Sequence, residues 1–386
     1  MARSAAFILL VVSLAACALV GGYGTLVVGS LNGFFEALGA SADLPDPSER
    51  YMPGGPVPFT GTWTGFEPLD GLLRGLVSFF SSAIDGAQTW DVTLSYHYIM
   101  LNFFCGWNLL VLESFRAGNQ GRAVSWITTV GMILQTITYT ITVPVYLIVY
   151  LFTSPIVGSS SPRSIVPAAS QARLIPMSSF LSFAVPAVLM ALPSPSVIPP
   201  ALHYGFIALW QPFPLFQRIL QWAFQFEDAK ASLANTKPSG HLEVASVTYK
   251  MILVVSILAH VGLTAVALIP GSSVPESWAP IFDEVNIRSA FVPQPLWSPP
   301  SVDATAIPVP DELAPLARFL LQFDCYCGNT AILLWALYMS SAWLSTSQLV
   351  RTTLVWGVLG GPAAASAALF WKRDSLAVEA LETKKD

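Results

Sequence analysis

The feature that most constrains this chain is a series of apolar runs, each about twenty residues long. Such a run crosses a hydrocarbon core of about 30 Å as an α-helix, which rises about 1.5 Å per residue. We predict about eight membrane-spanning helices, with seven as the alternative. They cover approximately residues 5–27, 92–112, 123–152, 174–192, 197–220, 247–269, 314–342 and 349–370. The fold class predicted is an all-α, polytopic membrane helix bundle.

Composition agrees with a single integral membrane domain over residues 1–386. Apolar residues make up 54% of the chain and charged residues only 11%, and the mean hydropathy of +0.60 lies outside the soluble range. The net charge of −5 and the lack of a basic cluster argue against nucleic-acid binding. Membrane lipid is the expected surrounding, and no nucleic-acid partner is expected.

The fourth and fifth predicted spans are the weakest, because eight prolines interrupt residues 174–220. We interpret them as kinked or broken spans, since neighbouring helices can satisfy the freed backbone groups. For the first span a cleaved signal peptide is the alternative; its apolar length, which continues to Leu31, favours a retained anchor. Eight spans place nine Lys and Arg residues on each side, so charge does not orient the chain. Lys372 and Arg373 after the last span favour cytosolic termini.

Two long segments are expected outside the membrane, besides a polar C-terminal tail at 372–386. Segment 33–91 contains an amphipathic stretch at 69–84, which lies on the membrane surface or folds over the bundle as a lid. Segment 270–313 is rich in proline and contains Trp278 and Trp297, so we expect it to pack on the mouth of the bundle. Five predicted spans separate the segments and place them on opposite faces, unless one proline-broken span is miscounted.

Several catalytic motifs are missing from the sequence. There is no Asp-Asp-x-x-Asp pair for magnesium and diphosphate, no His-Glu-x-x-His helix, no phosphate-binding glycine loop and no Gly-x-Ser-x-Gly elbow. The four cysteines, at 17, 105, 325 and 327, fall within predicted spans and are interpreted as packing residues. No metal and no cofactor are expected.

Asp324 is the most informative polar residue, because a carboxylate within a membrane costs roughly 3 kcal/mol or more unless it is paired, hydrated or protonated. Burial disfavours the ion, and a neutral carboxylic acid can donate a proton. The structural alternative is that Asp324 pairs with a buried amide such as Asn102. With a helix start near Pro315, Asp324 lies about two and a half turns into the helix, near one mouth.

The second predicted span carries a polar stripe. Asn102 and Glu113 share one helical face, and His97 lies on an adjacent face. Glu113 is either a functional acid or an interfacial partner of Arg116, and His97 is more simply a structural residue. The third span carries a weaker stripe with Gln135 and Thr138, for which helix–helix contacts are the favoured interpretation.

The overall plan resembles the fungal membrane-bound terpene cyclases of the ascofuranone and ascochlorin type, which act in meroterpenoid pathways. The resemblance rests on the chain length, on Asn32-Gly-Phe-Phe-Glu36, on the helix from His97 to Glu113, and on Gln322-Phe-Asp324-Cys-Tyr-Cys-Gly-Asn329 running into Tyr338. It implies an enzyme that protonates an epoxide or alkene on a lipophilic prenylated substrate and guides a carbocation cyclisation. It also implies a multi-pass protein of the endoplasmic reticulum, with pathway enzymes on the same membrane.

Candidate roles follow from the resemblance and the helical spacing together. Asp324 is the predicted proton donor, Glu113 or Glu36 a second acid, and His97 or Asn102 an orienting partner. Aromatic faces can stabilise a developing cation. The predicted substrate-binding residues are Phe103, Phe104, Trp107, Tyr326, Trp335 and Tyr338.

Two other functions remain open from the residues. A proton-coupled transporter would use Asp324 and Glu113 to bind and release protons, and proline-broken helices suit such a protein. No internal repeat supports it, however. In a non-catalytic membrane scaffold the polar stripes would only hold helices together.

Overall fold

The fold is helical throughout the described residues. The computed structural model describes residues 4–42, 46, 50, 59, 61–84, 90–158, 161–225, 237–303 and 310–383, and in these ranges no β-strand forms. The parts of the predicted loops and tail at 43–45, 47–49, 51–58, 60, 85–89, 304–309 and 384–386 lie outside the described residues. The all-α prediction is confirmed.

Fourteen helices are numbered here in chain order, and single-turn helices are left unnumbered. They are α1 Ala5–Leu31, α2 Phe34–Ala42, α3 Glu67–Ile84, α4 Trp90–Ser114, α5 Ile127–Thr136, α6 Tyr139–Thr153, α7 Ala169–Met190, α8 Pro200–Trp210, α9 Phe213–Ala223, α10 Pro238–Val266, α11 Ala279–Glu284, α12 Ile287–Phe291, α13 Pro310–Ser340 and α14 Thr346–Thr383. Four of them, α1, α7, α10 and α14, are long and apolar enough to cross a membrane by length and composition.

Helix α4 occupies the centre of the bundle. It is buried on nearly every side, and it contacts α10 and α13 along its length. An apolar helix that is covered all round is typical of a bundle core. The remaining helices are arranged about α4, so the polar residues of α4 have to be satisfied inside the protein.

The two ends of the bundle differ in character. At one end, which we call the loop end, the Asn32 side-chain amide donates to the Pro300 carbonyl at 2.9 Å, and the Val302 N–H donates to the Asn32 carbonyl at 3.0 Å. At the other, the ion-cluster end, Glu113, Arg116, Arg373 and Asp374 form a buried salt-bridge network. The two long predicted segments therefore meet at the same end.

Helices α5 and α6 form a hairpin rather than one span. The Tyr146 hydroxyl donates to the Val124 carbonyl at 2.8 Å, although residues this far apart in a straight helix would be separated by about 33 Å. The chain turns at Thr138, whose φ of 169° and ψ of 159° are extended. The third predicted segment thus enters and leaves at the ion-cluster end, with its tip inside the bundle.

Helix α14 doubles back in the same way. The Lys372 ammonium donates to the Thr352 hydroxyl at 2.7 Å, and the turn lies at Gly360 and Gly361. Gly361 has a φ of 70°, a conformation that glycine adopts without strain. Where the sequence indicated a polar tail at 372–386, the helix continues to Thr383 with Arg373 and Asp374 buried in the ion cluster.

These two hairpins change the topology expected from the sequence. Within the described residues, six helical rods run between the two ends: α1, α4, α7, the pair α8–α9, α10 and α13. A count of about eight single crossings is not confirmed. Four rods separate the two loop-end segments, and this even number places both at one end. Of the five predicted spans between these segments, the one that forms a hairpin is the third span of the chain, and not one of the proline-broken spans.

The loop-end segments cover the bundle. Helix α3 packs against α2, α4, α8 and α13. From the second segment, the carbonyl of Ala290 accepts from the Gln322 side chain at 2.9 Å, and that of Phe291 accepts from the Tyr326 hydroxyl at 2.8 Å. Both segments are thereby attached to α13, the helix that carries Asp324.

Candidate functional site

A cavity of about 450 Å³ lies beneath α2 and α3, in the half of the bundle nearer the loop end. Its walls come from α1, α4, α8, α13 and the tip of the α5–α6 hairpin. The lining residues used below are Leu26, Gly71, Leu72, Gly75, Phe79, Phe80, Phe103, Gln135, Ile137, Thr138, Tyr139, Trp210 and Asp324. This size is within the range of about 300–1,000 Å³ that is usual for small-molecule pockets.

Asp324 lines this cavity from the middle of α13. The helix begins at Pro310 and not at Pro315, so Asp324 lies about 21 Å from its start and about 24 Å from its end. The predicted helix start at Pro315 is therefore wrong, and Asp324 lies near the middle of α13. Its side chain is half-buried, which leaves part of the carboxyl group facing the cavity.

The partner of Asp324 is the first turn of α6. The Thr140 N–H donates to Asp324 Oδ1 at 2.8 Å, and Thr140 is the second residue of that helix. The first N–H groups of a helix have no partner within it, and the helix dipole favours a negative charge there. Asp324 therefore caps α6 from a different helix. An acid in this place is therefore stabilised as an anion, because the Thr140 N–H donates to the carboxylate that remains after proton loss.

The predicted pairing of Asp324 with Asn102 does not occur. The Asn102 amide donates to the Tyr98 carbonyl of its own helix at 2.9 Å. Gly328, one turn beyond Asp324, lies against Tyr139, because a Cβ placed there would be 2.3 Å from the Tyr139 ring. The small residue beside the acid thus admits a close helix, which fixes the start of α6 against α13.

Aromatic rings form one wall of the cavity. Phe103 lies 4.9 Å from Tyr139 and 6.1 Å from Trp210 between ring centroids. Phe80 lies 5.1 Å from Trp210 and 5.2 Å from Phe79, all in edge-to-face contact. The faces of such rings carry negative electrostatic potential and attract a cation. The cavity therefore combines one carboxyl group with several cation-stabilising rings.

Of the six aromatic residues predicted to bind substrate, only Phe103 lines this cavity. The others pack between helices. Phe104 packs on Phe183, the Trp107 indole donates to Gln217, and Tyr326 donates to Phe291. Trp335 lies between Tyr150 and Phe370, and Tyr338 contacts Phe7.

The other predicted polar residues also lie outside the cavity lining. Glu113 belongs to the ion cluster, with Arg116 at 2.5 Å and Arg373 at 2.6 Å, which matches its structural interpretation. Glu36 and His97 are exposed. Asp324 is thus the only described carboxylate among the cavity-lining residues. No group of three or more His, Cys, Asp or Glu side chains in the described residues is arranged to hold a metal ion.

Sequence reasoning missed part of the site. Gly71, Gly75 and Phe79 line the cavity from one face of α3, and their spacing of four residues was a readable signal of a helical face. Tyr139 and Trp210 gave no such signal, because their position depends on the turn at Thr138 and on the packing of α8.

The sequence is similar to a protein family and to several named proteins. The family model described as the CtvD domain matches residues 5–378. The chain is similar to the terpene cyclase ascI of Acremonium egyptiacum, with 26% identity over 357 residues, covering 89% of this chain and 84% of that protein. It is also similar to the terpene cyclases ctvD of Aspergillus terreus, 26% identical over 89% of this chain and 92% of the relative, and atmA of Aspergillus flavus, 22% identical over 89% and 90%. No solved structure matches.

Proposed function

Because this chain belongs to the CtvD domain family, whose model it matches over residues 5–378, we propose that it is a terpene cyclase acting within a membrane. Its substrate is a lipophilic prenylated molecule, and the favoured one carries an epoxide on a farnesyl chain attached to an aromatic or terpenoid core. The similar proteins named terpene cyclases support the reaction class. The observation that carries the mechanism is the position of Asp324 between an aromatic wall and the start of α6.

The reaction begins with proton transfer from the Asp324 carboxyl group to the epoxide oxygen or to an alkene carbon. As the C–O bond breaks, a neighbouring double bond supplies its electron pair to the electron-deficient carbon and closes a ring. The cation then moves along the folded chain and ends by losing a proton or by capturing a substrate hydroxyl group. The substrate takes up one proton at the start and releases one at the end, so the product is an isomer of the substrate.

The protein supports each stage with a particular contact. The Thr140 N–H and the dipole of α6 hold the Asp324 carboxylate once its proton has left. Phe103, Tyr139 and Trp210 present rings to the intermediate cations. Few polar groups line the cavity otherwise, so water is largely excluded, and quenching of a cation by water is disfavoured.

The cavity suits a substrate that is dissolved in the bilayer. Among its lining residues, Leu26, Leu72 and Ile137 are 37%, 39% and 44% exposed, so the mouth lies between α1, α3 and the hairpin tip and is itself apolar. A prenyl chain can enter there from the side without crossing water. At the hairpin tip the Gln135 side-chain amide donates to the Gln211 carbonyl at 2.7 Å, so the Gln135 side-chain oxygen and the Thr138 hydroxyl are the groups that can contact the oxygen-bearing part of the substrate.

Exposed aromatic residues at both ends support membrane embedding. Trp278 and Trp297 are 58% and 87% exposed at the loop end, and Trp126 and Trp222 are 63% and 75% exposed at the ion-cluster end. Tryptophan is enriched at both membrane–water interfaces, where its ring is apolar and its N–H is hydrated. The apolar helices between these two groups then occupy the hydrocarbon region.

The direct test compares variants in microsomes supplied with an epoxyfarnesylated aromatic substrate. Asp324→Asn keeps an oxygen that can accept from the Thr140 N–H, but it cannot donate an acidic proton. We expect a cyclised isomer of unchanged mass from the wild type and a loss of about 10²–10⁴-fold in rate for this variant, the usual contribution of a general acid. Glu36→Gln, which changes an exposed acid outside the cavity lining, is the control and should retain activity.

The outcomes separate the candidate functions. Full activity of the Asp324→Asn protein at wild-type expression would rule out Asp324 as the proton donor. Uptake of the substrate into sealed vesicles without chemical change would instead favour the transporter. A wild-type protein that neither converts nor moves the substrates would favour the scaffold.

A further inference from the structure

The two hairpins redistribute the basic residues of the chain between the ends of the bundle. Of the fourteen Lys and Arg residues in the described ranges, four lie in the half nearer the loop end: Arg50, Arg74, Arg288 and Arg318. The other ten lie in the half nearer the ion cluster: Arg116, Arg122, Arg163, Arg173, Arg218, Lys237, Lys250, Arg351, Lys372 and Arg373. When the hairpins are counted as single crossings, as in the eight-span prediction, the same fourteen residues divide into six and eight.

Specific contacts place these residues at their ends. Arg318 pairs with Asp91 at the start of α4, and Arg74 with Glu67 at the start of α3. At the opposite end, the segment before Arg173 is held to the end of α4, because the Ala168 N–H donates to the Phe115 carbonyl at 3.0 Å. The start of α10, next to Lys237, is joined to the same segment, since His241 Nδ1 lies 3.0 Å from the Pro167 carbonyl.

The solvent exposure of the charged side chains increases the charge difference between the two ends. At the loop end Arg50 and Arg74 are buried, Arg318 is half-buried, and Arg288 is exposed. At the ion-cluster end the exposed cations include Arg122, Arg163, Arg218, Lys237, Arg351 and Lys372. The exposed acids of the described residues show the opposite preference. Seven lie near the loop end, namely Glu36, Asp46, Glu67, Glu276, Asp283, Asp303 and Glu312, and three lie near the ion-cluster end, namely Glu243, Glu379 and Glu382. One end of the protein therefore presents positive charge and the other negative charge.

We propose that the ion-cluster end faces the cytosol and contacts the anionic lipids of the cytosolic leaflet, while the loop end faces the lumen. This inference rests on the membrane embedding proposed above. Short loops rich in Lys and Arg stay on the cytosolic side, and exposed cations next to a membrane are attracted to its anionic headgroups. Both ends of the described chain then lie on the cytosolic side.

The orientation has a consequence for the cavity. Helices α2 and α3, which cover it, belong to the loop end, so the cavity mouth opens in the lumenal half of the bilayer. A substrate that is prenylated by a cytosolic enzyme has to cross the bilayer midplane to reach Asp324, and an apolar prenyl chain crosses more easily than a charged precursor would.

The test uses glycosylation, which takes place only in the lumen. An Asn-Ser-Thr acceptor flanked by Gly-Ser spacers is inserted after Gln294 in the full-length chain, and the same cassette is inserted after Ser232 in a second variant. We expect a mobility shift that an endoglycosidase reverses for the Gln294 insertion alone, and a C-terminal tag that added protease removes in sealed microsomes. A glycan at the Ser232 insertion alone, or a glycan at neither site together with a protected tag, would overturn the orientation.

A charge-substitution pair tests the physical cause. Replacing the six exposed cations named above for the ion-cluster end with Gln should give a mixture of orientations, seen as partial protection of the C-terminal tag. Replacing six exposed acids of the loop end (Glu36, Glu67, Glu276, Asp283, Asp303 and Glu312) with Gln is the matched control and should leave the tag fully accessible, because acidic residues contribute little to orientation. Equal behaviour of both variants would contradict the argument.

These experiments are independent of the proposed chemistry. Resistance of the protein to extraction by alkaline carbonate is measured first, and release from the membrane would refute the embedding itself. The glycan pattern does not depend on turnover, so a failed orientation and a failed cyclase assignment give different results.

Discussion

Replacing Glu113 with Gln is expected to destabilise the protein rather than to remove a step of its chemistry. Glu113 Oε1 accepts from Arg116 Nη2 at 2.5 Å, from Arg116 Nε at 3.0 Å and from Arg373 Nη2 at 2.6 Å. Asp374 is the second acid of the cluster and bonds to the same two arginines. Two positive and two negative charges therefore balance in a fully buried site.

The size of the effect follows from this balance. Gln at position 113 leaves two buried guanidinium groups facing the single carboxylate of Asp374. Removing one partner of a buried ion pair typically costs about 3–5 kcal/mol, because the remaining charge has lost its hydration and its counter-charge. Against a total stability of about 5–15 kcal/mol for a folded domain, such a loss leaves the protein marginal.

The assay is thermal unfolding of the purified protein in detergent, together with the rate of cyclisation below the unfolding temperature. We expect a much lower unfolding temperature for Glu113→Gln and a normal rate per folded molecule. Glu379→Gln, an exposed acid on α14, is the control and should change neither. In the double variant Glu113→Gln/Arg373→Met one positive and one negative charge remain, so part of the lost stability should return.

The result that would refute this reasoning is a Glu113→Gln protein with the wild-type unfolding temperature and no activity. Glu113 would then act in the chemistry, as a second acid, in spite of its distance from the cavity lining. The same experiment therefore decides between the two interpretations that the sequence left open for this residue.

Three further variants test other parts of the structure. Asp324→Ala removes the cap of α6 and should cost about 0.5–2 kcal/mol in thermal stability, whereas Asp324→Asn should cost less; equal losses would show that the contact with Thr140 does not stabilise the hairpin. Gly361→Ala should destabilise by about 1–2 kcal/mol, because φ is 70° there, while Gly357→Ala has open space and is the control in the same unfolding assay. At Gly75 no atom lies within 4 Å of an added Cβ, so the Gly75→Leu protein should still fold. Its kcat/KM should fall more for long prenyl chains than for short ones, because the leucine side chain takes up cavity space. Gly205→Leu, which also points to open space but outside the cavity lining, is the control and should leave kcat/KM unchanged.

The helices themselves were predictable from the sequence, but their direction was not. Each predicted apolar segment is helical in the structure, because length and hydropathy report the cost of exposing backbone to lipid. Hydropathy does not indicate in which direction a helix runs. A hairpin of two short apolar helices therefore gives the same hydropathy pattern as one long membrane span. The Gly360-Gly361-Pro362 break in the last segment was readable as a turn signal. The turn at Ile137 and Thr138 has no glycine or proline and could not be found in this way.

The candidate site was predictable to a similar degree. Asp324 was identifiable because an isolated carboxyl group in an apolar helix has a high free-energy cost in a membrane. That cost can be recognised from the neighbouring residues in the sequence alone. The aromatic residues were not, since rings occur on many faces of α4 and α13. Whether a ring borders the cavity depends on which neighbouring helices cover that ring. Trp335 is covered by Tyr150 and Phe370, whereas Phe103 lines the cavity.

The start of α6 can stabilise the Asp324 carboxylate without placing a full positive charge next to a carbocation in the cavity. A lysine or a metal ion would hold the carboxylate strongly, but its full positive charge would also repel a carbocation forming a few ångströms away. A helix end carries only about half an elementary charge, and its field weakens within one turn. In the mechanism proposed above, the α5–α6 hairpin therefore supports the Asp324 carboxylate after proton release, while the aromatic side of the cavity can still stabilise positive charge.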